Sequence, residues 1–463
     1  MDNDNIPGKI DVKILKKMVE EGQIETVLTA FPDLYGRLLG KRITGRFFLE
    51  EVLDDSMHAC DYLLACDMEM DPIPGYKYAS WADGYGDIRL VPQLSTLRIA
   101  SWLEKTAIIL CDVYEEESDQ LVEIAPRTVL QKQVERAAKM GYVAMGGSEL
   151  EFFVFKDSFD QAAEKQYNNL EPFSHYIEDY HLLQGTKEEV VIGAIRHHLD
   201  RSGIPVEFSK GEWGPGQQEI NLRYADFMEM ADRHTLYKHA AKEIAFQKEH
   251  AITFMAKWDE QYAGSSMHLH VSLRNKKSGK PLFPGRKKIG PLEGSDIFRW
   301  FLGGWMKRLA EIFVFYAPYP TSYKRFVAGS FAPTGIAWSY DNRTAAFRII
   351  GHGPSLRIEC RAPGADGNPY LAFAATLAAG LEGIENKIEP PPIFEGDAYT
   401  ASKMKQVPKT LNEAIERMEK SHFVRNAFGP DVYYHYRHFF KTEQRKFDEV
   451  VTAWERKRYF ERA

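Results

Sequence analysis

Charged and imidazole side chains recur two residues apart inside runs that otherwise read as strands, and this spacing limits what the chain can become. Glu149 and Glu151 lie in SELEFF, His268 and His270 in SMHLHVSL, and Arg357, Glu359 and Arg361 in SLRIECRA. An extended backbone sends alternate side chains to one face, so each set shares a face of its strand. Two carboxylates placed that closely repel each other unless a cation or a shared proton lies between them. A guanidinium–carboxylate–guanidinium row is costly when buried without good pairing, whereas in a cleft it can hold metal and phosphate together. Taken singly, each motif reads equally well as a solvated strand edge. The repetition is what argues for a sheet lining a cleft.

Other residues join this pattern. Glu212 and Glu219 flank the glycine–proline turn of GEWGPGQQEI, which can return both carboxylates toward one centre. Arg325, Arg343 and Arg348 precede Arg357 and Arg361, so five arginines fall within 37 residues. The chain as a whole is acidic, with a formal charge of -7, which argues against wrapping nucleic acid but not against a local cationic phosphate pocket. An oxygen-rich donor set with histidine favours Mg²⁺ or Mn²⁺ over zinc. Neither a Walker sequence nor a dinucleotide fingerprint is present, so metals and arginines would have to hold any ATP. Spacing alone leads to a metal- and phosphate-handling enzyme and no further.

The remaining sequence reads as a mixture of helices and strands. Helical spacing covers 11–22, 127–140, 188–201, 226–249, 411–420 and 439–460, and PYLAFAATLAAGLEGIENK reads as a buried apolar helix. IETVLTAF, DIRLVP, AIILCDVY, PVEFSK, RFVAGSF and a glycine-interrupted YVAMGGSELEFFVF supply strand candidates. The polar EEESDQ run places a domain boundary between residues 117 and 118. Cys60, Cys66, Cys111 and Cys360 are too sparse for a disulfide scaffold or a zinc knuckle, so reduced thiols in the cytoplasm are expected. No apolar run approaches the roughly 20 residues that span a bilayer, so no membrane partner is expected.

At this level of detail the chain resembles the glutamine synthetase superfamily. The matching stretches are GYGDIRLVPQLSTL, GGSELEFFVF, GEWGPGQQEI, FMAKW with GSSMHLHVSL, SYKRFVAGSFAP, DNRTAAFRI and RIECRAPGADGNPYLAFAATLAAGLEGI, in the family's order. The resemblance implies an α+β protein in which residues 1–117 form a β-grasp-like domain and 118–463 a catalytic domain with a curved antiparallel sheet. It implies ATP and Mg²⁺ or Mn²⁺, with Glu151, Glu212 and Glu219 at one cation and Glu149, His268 and Glu359 at the other. His270, Ser272, Arg343, Arg348 and Arg357 would meet the nucleotide, while Gly264, Arg325 and Arg361 would face the acid substrate. Arg325, Arg343 and Arg357 would act in catalysis, together with Asp87, the amine-site base lent by a neighbouring subunit of a homo-oligomer. Stacked hexameric rings are the expected assembly. The implied reaction joins a carboxylic acid to an amine through an acyl-phosphate.

Departures from the family pattern bear on the substrate. The loop following SYKR normally carries a glutamate before Ala-Pro, where this chain has Phe331, and RFVAGSFAPTG contains no acidic residue at all. Phenylalanine can seal a pocket but can neither attract ammonium as a carboxylate does nor accept its proton. Ala263 replaces an asparagine that would contact the α-amino group of glutamate, which leaves the acid open. Tyr399 lies in DAYTASK rather than in a modification motif, so regulation by adenylylation is not expected. The reading is a γ-glutamyl-amine ligase, set against a glutamine synthetase using ammonia and an inactive, ring-forming structural member. Retention of all six metal-ligand candidates weighs against the last.

Overall fold

The computed structural model describes residues 6–401 and 403–463, which form an α+β structure built on two principal sheets. The first comprises β1 (Thr26–Pro32), β2 (Leu38–Thr44), β3 (Met57–Cys60), β4 (Asp87–Pro92), β5 (Arg98–Ile99) and β6 (Thr106–Glu115). Its order is β2-β1-β6-β4-β3 with β5 also on β6; β1 and β6 are parallel, and the other pairs antiparallel. The central strands β1 and β6 read as continuous apolar runs because both their faces are covered.

The second sheet is larger and curls into a half-barrel. It contains β7 (Tyr142–Val154), β8 (Val206–Gly211), β9 (Gln217–Leu222), β10 (Ala225–Asp226), β11 (Ile252–Thr253) and β12 (Met267–Asn275). A separate hairpin of β13 (Lys287–Ile289) and β14 (Leu292–Gly294) follows, and β15 (Trp338–Tyr340), β16 (Phe347–Ile350) and β17 (Arg357–Cys360) complete the sheet. The order is β15-β16-β17-β12-β7-β9-β8, with β10 and β11 also on β7. Every pair is antiparallel except β15 with β16, so the expected antiparallel sheet ends in one parallel edge.

Three helices support this sheet. Pro126–Lys139 and Phe227–Gln247 lie against β7, and Pro369–Glu385 packs on both of them and on Asp296–Arg308. Pro369–Glu385 is buried along nearly all its length, as its all-round apolar sequence requires. Its close approach to Asp296–Arg308 depends on glycine: a Cβ on Gly304 would lie 2.4 Å from the Ala379 carbonyl oxygen and from the Gly383 Cα. Arg127, on the helix Pro126–Lys139, links the first sheet to the helix Phe227–Gln247, pairing with Asp112 of β6 while its Nε and Nη2 donate to Asp232 at 3.1 Å.

Local expectations need three corrections. β7 is continuous through Gly146, because the missing side chain there admits Phe373, whose ring would lie 2.8 Å from a Cβ. RFVAGSF is a loop after the short helical turn Pro320–Arg325, since Gly329 and Phe331 take positive φ angles of 78° and 59°. The helix read over 439–460 is two helices, Pro430–Asp448 and Ala453–Tyr459, the second started by a capping box between Thr452 and Glu455.

Candidate active site

Sheet register assembles the charged residues. β12 pairs His268 with Glu149 of β7, and pairs His270 with Glu359 of β17. β16 sets Arg348 beside Glu359, β9 sets Glu219 opposite Glu151, and β8 sets Lys210 opposite Glu219. Strand pleating then turns these side chains to one face, as the two-residue spacing anticipated.

Glu149 lies at the centre of one group. Its Oε2 is 3.1 Å from His268 Nδ1, and its Oε1 is 2.8 Å from His270 Nε2. The second approach is a charge contact out of line for a hydrogen bond, so the buried Nε2 of His270 faces Glu149 without a hydrogen bond among the described residues. Burial alone would raise the Glu149 carboxyl, but His270 and His268 outweigh it and hold it well below the usual range. Burial and the Arg361 charge push His268 down to about 4. For His270, burial lowers the imidazole while Glu149 raises it, with a net upward shift. The geometry nevertheless requires a bare Nδ1, because Arg357 Nε donates to it at 3.2 Å, and this places the ring proton on Nε2. Glu359 is fully buried; Arg361 Nη1 donates to its Oε1 at 2.6 Å and Arg348 Nη1 to its Oε2 at 3.0 Å.

Glu151, Glu212 and Glu219 form a second group, with one oxygen from each lying within 4.8 Å of the others. The Ser266 backbone and hydroxyl donate to the two oxygens of Glu151 at 2.8 and 2.5 Å. Gln217 Nε2 reaches Glu151 Oε2 at 3.4 Å and the Gly264 carbonyl at 3.0 Å, while Asn221 donates to Glu219 at 2.7 Å. Burial, aided by Glu212, pushes Glu151 up to about 7, and burial with Glu149 and Glu212 raises Glu219 well above its ordinary value. Three crowded carboxylates with too little positive charge suit a hard divalent cation. Glu149 also groups with His270 and Glu359, and with Glu219 and His268. The expected set of Glu149, His268 and Glu359 is looser: His268 Nδ1 is 3.1 Å from Glu149 and 3.7 Å from Glu359, whose oxygens the arginines draw away.

Two buried arginines, Arg325 and Arg361, stand beside these groups. Arg325 is buried, its Nη2 donates to the Ala362 carbonyl, its Nε has no partner among the described residues, and burial pushes it down to about 10. Gly264 makes room for it, since a Cβ there would lie 2.3 Å from Arg325 Cγ. Arg361 Nη2 lies 3.4 Å from the Phe331 carbonyl, and its buried Nε is likewise unpartnered. Phe331 and Trp213, both about half exposed, meet edge to face at the surface. Ala263 is half-buried, and Tyr399 keeps its hydroxyl out of solvent.

Not every predicted residue converges. Ser272 sits on the His268–His270 face of β12, half-buried opposite Met145. Arg343 is exposed in the turn between β15 and β16 and makes no ion pair among the described residues. Asp87 is exposed at the start of β4, on the other sheet. Sequence reasoning passed over Lys210, Trp213, Ser266 and Gln217. Lys210 was findable, because it precedes Glu212 by the same two-residue spacing; nothing in the pattern marked Trp213.

The profile of the family described as glutamine synthetase, catalytic domain, matches residues 123–459. The γ-glutamylethanolamide synthetase GlnA4 of Streptomyces coelicolor is 45% identical over 454 residues, covering 98% of this chain and 96% of the relative. A glutamate–isopropylamine ligase from a Pseudomonas species is 33% identical over 457 residues, covering 98% and 99%. Among solved structures, a GmaS–ADP complex superposes with a TM-score of 0.84 at 26% identity, over 96% of this chain and 99% of that one.

Proposed function

The chain belongs to the glutamine synthetase family, and we propose that it is an ATP-dependent ligase joining the γ-carboxylate of glutamate to a substituted amine through an acyl-phosphate. The observation that carries the choice of amine is the Trp213–Phe331 ring pair, in which Phe331 belongs to a loop, 326–335, without any carboxylate. Ammonia has no carbon to bury against such a surface, whereas an alkyl substituent gains about 25 cal/mol per Å². The two relatives named for ethanolamide and isopropylamine chemistry support the same reading.

Glu151, Glu212 and Glu219 would hold one Mg²⁺ or Mn²⁺ ion, and Glu149, His268 and Glu359 the other. Bound there, these cations would offset the repulsion between a carboxylate nucleophile and ATP. Arg343, Arg348, Arg357, His270 and Ser272 would receive the nucleotide, with the arginines stabilising charge on the transferring phosphoryl group. Gly264, Arg325 and Arg361 would orient the acid, so that its carboxylate oxygen attacks the γ-phosphorus and ADP leaves. The amine nitrogen then attacks the acyl carbon, phosphate departs, and Asp87 of a neighbouring subunit takes the amine's proton. The Trp213–Phe331 pair would keep water from the acyl-phosphate in the meantime.

Assembly in stacked hexameric rings, a cytoplasmic location and a division into units 1–117 and 118–463 belong to the same proposal. Exposed Val450, Val451, Trp454 and Phe460 support further assembly, and no helix among the described residues is long and apolar enough to cross a membrane. A competition assay of ammonia against alkyl, aryl and hydroxyalkyl amines, read by product mass, tests the reaction. A clear preference for ammonia would make this an ordinary glutamine synthetase, and no ATP turnover with any pair would favour the structural role.

A further inference from the structure

We propose that Lys210 is a built-in counter-cation of the Glu151–Glu212–Glu219 cluster and weakens that cluster's hold on a divalent ion. The inference rests on reading the cluster as a cation site. Antiparallel pairing puts Lys210 directly across from Glu219. Its Nζ bonds Glu212 and stands 4.0 Å from Glu219 Oε1, so one ammonium touches two of the three carboxylates. On its other side the ring centroid of Tyr180 lies 4.7 Å away. The side chain is only 16% exposed, so this is not a solvated lysine resting near an acidic patch.

The consequence is electrostatic competition. In the absence of a divalent ion, the ammonium offsets part of the repulsion among the three carboxylates and draws Glu212 and Glu219 together. An arriving divalent ion meets a like charge at close range, and it must either tolerate that charge or break the ion pair to Glu212. The face of Tyr180 offers the displaced ammonium a second, weaker partner. Lys210 therefore sets cation affinity without being a ligand. Arginine at this position would keep the charge; methionine would keep most of the bulk and remove it.

Mn²⁺ titration of the full-length protein, followed by calorimetry and by electron paramagnetic resonance of free Mn²⁺, tests this without reference to turnover. Lys210→Met should tighten one class of Mn²⁺ sites by roughly tenfold or more. It should also lower the melting temperature in chelator and enlarge the rise on adding Mn²⁺. Lys210→Arg should stay near the parent, and Lys210→Gln serves if the methionine variant does not fold. Glu151→Gln separates the two premises. If it leaves that class of sites intact, the cluster is not their location and the reading fails with the proposal. If it removes the class while the Lys210 variants bind Mn²⁺ no more tightly than the parent, the proposal alone is overturned.

Discussion

Trp213 meets Phe331 with ring centroids 5.6 Å apart and planes at 65°, which ties the turn bearing Glu212 to the 326–335 loop. An edge-to-face contact of this kind is worth about 0.5–1.5 kcal/mol beyond the area it buries. It also presents carbon surface where a closing carboxylate would present charge. In the unmodified enzyme, kcat/KM with at least one substituted amine should exceed that with ammonia by about tenfold or more, in line with roughly 1–3 kcal/mol from a hydrophobic pocket. Trp213→Ala and Phe331→Ala should each shrink that ratio, and Phe331→Glu should shrink it most. Rates with both amines falling in equal proportion would assign the rings to loop stability instead.

Replacing Glu151 should stop phosphoryl transfer. Glu151→Gln preserves side-chain size yet removes a negative charge from the three-carboxylate group, so ADP formation should fall by about a hundredfold or more while circular dichroism stays unchanged. Full activity in this variant would remove the cation assignment.

The same residue supplies a pH signature. Burial and Glu212 push Glu151 up to about 7, so the folded state holds a proton that the unfolded chain releases near its ordinary 4.5. Stability from that difference is complete below about pH 4.5 and lost as pH rises through about 7. His268, pushed down to about 4, works in the opposite sense, losing its contribution as pH falls from about 6.5. Subtraction cancels the His268 contribution: in chelator, the melting temperature of Glu151→Gln minus that of the parent should grow between about pH 4.5 and 7, then level off. A difference independent of pH would contradict the shift.

Asp87 is exposed on the first sheet, remote in sequence from the strands that carry the site. If a neighbouring copy supplies it, two inactive variants should complement each other. Mixing Asp87→Ala subunits with Glu151→Ala subunits under exchanging conditions should restore part of the activity, because some interfaces then pair two intact halves. A fully active monomer by light scattering would exclude the arrangement.

Gly304 faces backbone rather than side chains, so the helices cannot relax by moving a rotamer. Gly304→Ala should destabilise the protein by about 1–3 kcal/mol, read as a lower urea midpoint with an unchanged slope. An unchanged midpoint would show that the two helices can separate without cost.

How far the molecule could be read from its sequence depended on whether the signal was periodic. His268 and His270 were assignable to one strand face because alternation is a property of extended backbone itself. Gly146 misled for a non-local reason: what it accommodates, Phe373, lies more than two hundred residues away. RFVAGSF has strand-forming residues, but no strand among the described residues pairs with it, and positive φ at Gly329 and Phe331 turns it into a loop. Arg361, two residues along the same strand as Glu359, was within reach of the spacing, but register could not be derived from local pattern, which is why capture by Arg348 of the neighbouring strand appears only in three dimensions.

The distribution of residues between strands and connections has an evolutionary corollary. Glu149, Glu151, Glu219, His268 and Glu359 all sit on paired strands, where inserting one residue would invert the pleat and send them toward the supporting helices. Trp213 and Phe331 sit on a turn and a loop, free of any ladder. Descendants of such a chain can therefore trade one amine for another by point changes in two connections, while the phosphoryl chemistry is inherited almost as a single character.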